Sequence, residues 1–385
     1  MADWDLIIVG AGAVGAAAAR RAGEAGARTL VLDLDTPAHA RGSSHGHGRI
    51  FRHAYFEHPD YVPLLRHATA RFASLEREEG VPLLHRCGVL LLGDAQSTVL
   101  RRSLAAARQW RLDVEALAPP ALARRFPMFG SRGAEGLRGV LEADAGIVRP
   151  ERAIAAALAA AQRRGVRVRL GTRVLDLEET GPVVAVHTDG GNFTAERVIV
   201  AAGAWAPQLL PRFRQLLRVT RQVQAWVAPV QGHALAGMPC WLLDRGTAAP
   251  AIYGLAPDPL GGDTVAAFPK VAFHGSEILV DPDRGASPPG ALDLDPLLEV
   301  YRGVAPGLAG QIIAASTCLY TMSPDGDFLV GTTGPNSRLH FAAGLSGHGF
   351  KLSPTLGDAL VERALFGKTE HPIGFLSPGR FPEVG

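Results

Sequence analysis

The stretch from Asp5 to Asp33 leaves this chain few folds to choose from. Asp5–Val9, DLIIV, is a short apolar run of the kind buried on both faces of a parallel sheet. Gly10, Gly12 and Gly15 follow as G-x-G-x-x-G and open an Ala-rich helical stretch, after which a second apolar strand, TLVLD, ends in Asp33. Each part has a physical task. The first two glycines permit a tight turn and the close approach of a pyrophosphate, and Gly15 lets the helix lie on the strand. The helix N-terminus offers unpaired N–H groups and positive potential to that phosphate. Asp33 stands where a short acidic side chain accepts ribose hydroxyls. The unit predicts a dinucleotide-binding α/β domain and does not by itself distinguish NAD from FAD.

At 385 residues the chain exceeds what one core usually organises, so two domains are expected. Its 39 basic and 37 acidic residues give a net charge of +2 with no long run of either sign, which argues against nucleic acid or an anionic membrane as partner. Cys87, Cys240 and Cys318 are scattered and form neither a disulfide framework nor a paired-cysteine metal site, as suits a reducing compartment. The apolar N-terminus lacks a basic lead, carries Asp3 and Asp5, and is broken by glycines, so it does not read as a signal peptide. No apolar run approaches the ~20 residues that span a bilayer. A cytoplasmic protein is expected.

Further along, Pro150–Gly165 reads as a helix with proline near its start and glycine just after its end. VRVRLGTRVLDLEE, VVAVHTD and ERVIVAAGAW read as strands joined by turns. From Gln222 to about Asp295, short apolar segments alternate with Pro and Gly, which suggests an antiparallel sheet with long loops. The last segment, LHFAAGLSGHGFKLSPTLGDALVERALFG, reads as strand, Gly-rich turn and helix. Gly344-Leu345-Ser346-Gly347-His348 approaches a hydrolase nucleophile elbow, but His348 stands where that motif needs glycine. His45 and His47 lack a carboxylate or cysteine that completes a local ligand set, so no metal is expected.

Six segments in order, DLIIVGAGAVGAAAA, GSSHGHGRIFRHAY, YVPLLRHA, VIVAAGAWAPQLL, CLYTMSPDGDFLV and GLSGHGFKLSP, resemble the monomeric sarcosine oxidase and N-methyltryptophan oxidase family over nearly the whole chain. The resemblance implies an α/β fold: a Rossmann-like FAD-binding domain with an inserted substrate domain built on an antiparallel sheet. The expected division is 1–80, 145–215 and 322–385 for FAD, and 81–144 and 216–321 for substrate. It implies an oxidase of N-methyl or cyclic secondary amino acids that passes electrons to dioxygen, works as a monomer, and holds FAD through a cysteine thioether. A related flavoenzyme acting on a D-amino acid, a cyclic imino acid or a natural-product amine, or a dehydrogenase with another acceptor, is the neighbouring reading. A non-catalytic flavoprotein subunit is the remote one.

By the same resemblance Cys318 is the attachment cysteine, where nearby positive charge would favour the thiolate; its plain alternative is a packed core thiol. His45 and Arg49 are implied to sit against the flavin. Arg52 and Lys351 are implied to hold the substrate carboxylate, for which an arginine fork is suited. Lys270 is implied to support the reaction with dioxygen, beside Tyr253, His274 and Tyr320. Lys270 and His274, four apart on a strand, would share a face. Ser43, Val174, Gly203, Trp205, Gly344, Gly347 and Gly349 complete the implied cofactor contacts. The sequence departs from the family where Ser44 replaces a histidine and His47-Gly48 replace Asp-Thr.

Overall fold

In the computed structural model, which describes residues 2–129, 136–233, 235–246, 249–262 and 264–382, the first apolar run becomes the strand Trp4–Val9, with Leu6, Ile7 and Ile8 fully buried. It lies between Thr29–Leu32 and Gly191–Val200 and runs parallel to both. Arg167–Arg169 extends the parallel sheet on one side and Leu339–Ala343 on the other. Such a sheet needs both faces covered, which is why its central strands are apolar throughout.

Helix Ala13–Glu24 covers one face and packs against Pro150–Arg163 and Ser353–Phe366. The approach to the last helix is possible because the residues are small: a Cβ on Gly357 would lie 2.6 Å from the Ala18 nitrogen. The antiparallel strands Val174–Thr180 and Val183–Thr188 run back onto Gly191–Val200. Val184 and Val186 join Leu210 and Phe213 in the cluster around Ile7, Leu30 and Val198.

The second large sheet has the order Ile312–Met322, Arg218–Val227, Lys270–His274, Ala251–Leu255, Cys240–Leu243, Val89–Gly93, Arg138–Glu142 and Glu115–Leu117. Its longest pair, Arg218–Val227 with Ile312–Met322 at the sheet edge, is antiparallel as expected. Two features depart from the sequence reading. Cys240–Leu243 pairs with Val89–Gly93 in parallel, so the sheet is mixed. The segment from Gln222 to about Asp295, read as an antiparallel sheet with long loops, already contains the start of helix Ala291–Val304, which carries Pro296 inside it. That helix buries Leu297, Tyr301 and Val304 in the cluster with Trp241, Ile252 and Val271. Pro296 is the sixth residue of the helix, past the start of its i→i−4 bonding at Leu294, so it leaves the Leu292 carbonyl without its helical donor; the apolar face that the helix buries offsets that loss.

A three-stranded sheet, Arg49–Phe51, Gly146–Val148 and Leu84–His85, completes the pairing and fixes the chain leaving the 43–49 loop. Among the described residues no helix is long and apolar enough to cross a membrane.

Candidate active site

The C-terminal ends of Trp4–Val9 and Thr29–Leu32 open into a cleft whose non-protein space is about 1370 Å³, the open solvent at its mouth included. Gly10 and Gly12 line it, together with Ala13 and Val14 at the helix start. Gly12 is the N-cap, no side chain caps it, and the first turn contains no acid, so the N–H groups and their positive potential face the cleft. Gly15 lies behind the lining: a Cβ there would meet the Gly10 carbonyl oxygen at 1.7 Å. Glycine is therefore the residue that allows strand and helix to touch. Asp33 lines the same end and is buried. Its Oδ2 accepts the Ala11 N–H at 2.5 Å and its Oδ1 the Asp35 N–H at 2.9 Å. Burial pushes its carboxyl upward, against those two bonds.

Val174, Gly203 and Trp205 form another stretch of wall, and Trp205 is oriented by donating Nε1–H to Asp283 at 2.8 Å. Gly344, Gly347 and Gly349 close the far side with Tyr320, Ser43 and Arg49. Gly347 has a steric reason to be glycine, since a Cβ would meet the Tyr320 ring at 2.2 Å. His45, Cys318 and Lys351 do not line this cleft and stand behind or beside it.

The 43–49 loop gathers charge. Arg49 donates to the carbonyls of Ser43, His45 and Gly48 at 2.7, 2.7 and 2.8 Å, and Ser43 donates to the Leu319 carbonyl at 2.5 Å. Lys270, on the central strand Lys270–His274, reaches the same loop: its Nζ donates to Gly46 O at 2.8 Å and Gly48 O at 2.7 Å. Burial, reinforced by the Arg49 charge, pulls Lys270 down to about 7. Glu151, the second residue of Pro150–Arg163, accepts the Gly46 and His47 N–H groups with Oε1, and its buried Oε2 finds no hydrogen-bond partner among the described residues. Buried His45 is held neutral at about 4, first by desolvation and then by Arg49, and its Nε2 is likewise unpartnered among the described residues.

Cys318 and Tyr320 point to one side of Ile312–Met322, as residues two apart on a strand must. The Cys318 thiol is 6% exposed. Burial raises its pKa while the charges of Arg49 and Lys270 lower it. Tyr320 and Tyr253 lie side by side in the interior, both phenols pushed up by burial. The His274 ring sits 6.2 Å from Tyr253 and 6.1 Å from Tyr320, centre to centre, and burial pushes that imidazole down. Lys270 and His274 thus flank the tyrosine pair from the same strand.

Arg52 and Lys351 share a second buried cluster. The Arg52 fork is occupied by Glu57, with Nη2 2.7 and 2.8 Å from its two oxygens, while Nη1 donates to Ala54 O at 2.7 Å. The guanidinium also lies 4.3 Å from the ring centres of both Tyr55 and Phe56. Lys351 Nζ donates to His348 O at 3.0 Å and to the Tyr55 hydroxyl at 3.4 Å. His348 Nε2 lies 3.0 Å from Gly326 O and must carry the proton, so Nδ1 accepts from the Tyr55 hydroxyl at 2.7 Å. Burial acts first on Lys351, with Arg52 adding to it, and brings it down to about 7. Glu57 feels burial in the opposite sense, but Arg52, His348 and Lys351 outweigh it and hold the carboxyl at about 2.

Glu57, Tyr55, His348 and Glu151 were not singled out by sequence reasoning as site residues. Glu57 had one usable signal, an acid five positions after a candidate ligand-binding arginine. A separate group, His67, Asp358 and His371, places potential metal-ligand atoms within 4.8 Å of one another among the described residues. It includes neither His45 nor His47, and its carboxylate is already held by Arg71 Nε at 2.9 Å.

A glycine-lined cleft at the carboxyl ends of parallel strands, an uncapped helix start and an acid at the second strand end define a dinucleotide-binding fold, and these residues fit the pyrophosphate and ribose that FAD shares with NAD. The FAD dependent oxidoreductase (DAO) family matches residues 5–363, and the chain belongs to that family. It is 34% identical over 382 residues to a monomeric sarcosine oxidase from Streptomyces avermitilis, covering 98% of this chain and 97% of the relative. It is also 34% identical over 385 residues to an N-methyl-L-tryptophan oxidase from Salmonella newport, covering 98% of each. Among solved structures, NikD, described as an unusual amino acid oxidase essential for nikkomycin biosynthesis, superposes with a TM-score of 0.83 at 25% identity over 97% of both chains. Glycine oxidase from Geobacillus kaustophilus shares the fold, with a TM-score of 0.80 at 21% identity over 99% of this chain and 100% of that one. The expected α/β fold with an inserted domain and the expected flavin-oxidase family are both borne out.

Proposed function

We propose that this chain is an FAD-dependent oxidase of N-methyl or cyclic secondary amino acids. For an N-methyl substrate, the resulting imine is hydrolysed by water to the demethylated amino acid and formaldehyde, and dioxygen leaves as hydrogen peroxide. The observation that carries the reading is the buried Arg52–Glu57–Lys351 cluster beside His274. Two buried cations and one largely buried anion form a receptor that a substrate carboxylate completes. The names of two relatives, a monomeric sarcosine oxidase and an N-methyl-L-tryptophan oxidase, point the same way.

Bound FAD supplies the electron acceptor for the substrate C–H bond. This chain's residues do the rest. Arg52 and Lys351 fix the carboxylate, which sets where the amine and its carbon lie; Tyr253, Tyr320 and His274 provide a dry wall that excludes water until release. Lys270, its Nζ directed by two carbonyls, carries in its protonated form the positive charge that stabilises negative charge developing on dioxygen. Cys318 is the residue we assign to covalent attachment, since Arg49 and Lys270 both favour its thiolate against the opposing effect of burial. The nucleotide and substrate domains follow the two large sheets, and the working unit is a cytoplasmic monomer.

The test is peroxide release from purified holoenzyme with sarcosine, N-methyltryptophan, proline, pipecolate and D-amino acids. N-methyl or cyclic secondary amino acids should give peroxide in step with imine-derived product. Bleaching of the flavin by these substrates without oxygen, but no peroxide in air, would make the protein a dehydrogenase.

A further inference from the structure

Two thiols that the flavin chemistry leaves unused lie against each other. Cys87 and Cys240 are 153 residues apart in sequence, yet their sulfurs are 3.8 Å apart. Cys240 opens the strand Cys240–Leu243 and is fully buried, while Cys87, in the loop before Val89–Gly93, is partly exposed. The backbone fixes the pair from both sides. Cys240 N–H donates to Gly88 O at 3.0 Å, and Cys240 stands opposite Val89 in the parallel ladder. Gly88, at φ +82°, turns the chain between Cys87 and that ladder in a conformation that side-chain-bearing residues rarely adopt.

The register of the sheet relates this pair to the oxygen-handling lysine. Trp241 pairs with Gly254, which sets Cys240 beside Leu255, and Leu255 in turn pairs with Lys270. Residues in one row across a sheet share a face. The Cys240 side chain therefore lies on the same face as Lys270, two strand spacings away, roughly 10 Å.

We propose that Cys87 and Cys240 are a modification site at which hydrogen peroxide closes an intrachain disulfide. The Cys87 thiolate attacks one peroxide oxygen, the O–O bond breaks, and with one proton taken up this gives Cys87 sulfenic acid and water. The Cys240 sulfur then attacks the Cys87 sulfur, forming S–S and releasing the sulfenic oxygen with the Cys240 proton as a second water. Two thiols are oxidised and one peroxide is reduced to two waters. The order follows from the environments: Cys87 is the more exposed, and the hydrogen bond from Cys240 lowers its pKa, whereas burial raises that of Cys240. Closing the bond needs the sulfurs to move from 3.8 Å to about 2.05 Å, a shift that side-chain rotation at both residues and the Gly88 turn can supply. The site itself rests on the thiols alone; that the peroxide is the protein's own product rests on the oxidase reading above.

The test treats reduced, desalted holoenzyme with equimolar hydrogen peroxide, then blocks thiols and digests with trypsin under non-reducing conditions. Peptide 87–101 should appear joined to peptide 222–245, lighter than their sum by two hydrogens, and reductant should separate them. Cys240→Ala should leave Cys87 trapped as a sulfenic acid that dimedone labels. Cys87→Ser should slow oxidation at Cys240 by roughly tenfold or more, because the exposed nucleophile is gone. Separate thiol peptides after peroxide, or independent over-oxidation of each cysteine, would overturn the site. A second arm replaces added peroxide with substrate turnover, with and without catalase. Cross-linking that catalase prevents supports self-supply, and cross-linking by added peroxide alone removes the protein's own turnover as the oxidant while leaving the thiol site intact.

Discussion

Replacing Glu57 by Gln tests whether the Arg52 fork is a carboxylate site whose internal ligand must yield. In this structure Glu57 meets one guanidinium nitrogen at 2.7 and 2.8 Å, deep in the interior. A carboxylate that enters has to compete with that charge. Charge-assisted hydrogen bonds contribute roughly 1.5–3 kcal/mol, against about half that for a neutral acceptor. Glu57→Gln keeps the shape and one acceptor oxygen, so the internal competitor weakens by on the order of 1.5 kcal/mol, or about tenfold in Kd. Furoate, a carboxylate with no amine to titrate, should therefore bind the variant about tenfold more tightly in a flavin-absorbance titration, while furamide should change little. Stability should move the other way. Two cations lose the anion between them, and breaking a buried pair costs about 3–5 kcal/mol. Lys351 relieves part of that by releasing its proton, so the loss in Tm should be larger below pH 7 than above it. The sign for the wild type follows from a depressed carboxyl: the Glu57 contribution is fully present above 4.5 and fades as the pH falls towards about 2. Furoate binding that is unchanged or weaker in Glu57→Gln would refute the competition.

Lys351, at about 7 in the free protein, should make furoate binding weaken as the pH rises through 7, because the deprotonated amine no longer attracts the carboxylate; a flat Kd from pH 6 to 8.5 would count against its role. Cys318→Ala should release all yellow colour into the supernatant on acid precipitation, whereas wild type, Cys87→Ala and Cys240→Ala should retain it with the protein. Gly15→Ala places a carbon 1.7 Å from the Gly10 carbonyl oxygen and should give protein with little bound FAD and a Tm lower by several degrees, read by absorbance and calorimetry.

The parts of this protein legible in its sequence are those that depend on neighbours in the chain. The Asp5–Asp33 unit is one, because turn, helix start and strand end follow each other within 29 residues and each has its own residue signature. The glycines of 344–349 are another, although their reason appears only when Gly347 is seen against Tyr320. What depends on distant pairing was hidden. Nothing local marks Cys240–Leu243 as a parallel partner of Val89–Gly93, since alternation of side chains is the same in either direction. Helix Ala291–Val304 was obscured by Pro296 and a Pro/Gly-rich lead, because proline inside a helix reads locally as a breaker and only the packing of Leu297, Tyr301 and Val304 outweighs it. Glu151 reads in sequence as an ordinary acid at a helix start, where the dipole favours it. Only the fold turns its oxygen towards Gly46 and His47.

Glu151 and Glu57 together explain how three buried cations and the half-buried Arg49 can gather around one reaction space. Arg49 and Lys270 donate to backbone carbonyls of the 43–49 loop, where Glu151 supplies the nearby negative charge. Arg52 and Lys351 belong to the other cluster, where Glu57 supplies it. Each half carries one carboxylate for two cations, and in each half burial pulls the lysine down to about 7. An ammonium can give up its proton under burial. An anion arriving in either half is therefore met by a lysine ready to take up a proton. On the Lys351 side that anion is a substrate carboxylate; on the Lys270 side it is the negative charge that dioxygen acquires with its first electron. The two halves are not independent, since the Arg49 charge also contributes to pulling Lys351 down, and beside them the His274 ring lies 6.2 Å from that of Tyr253 and 6.1 Å from that of Tyr320.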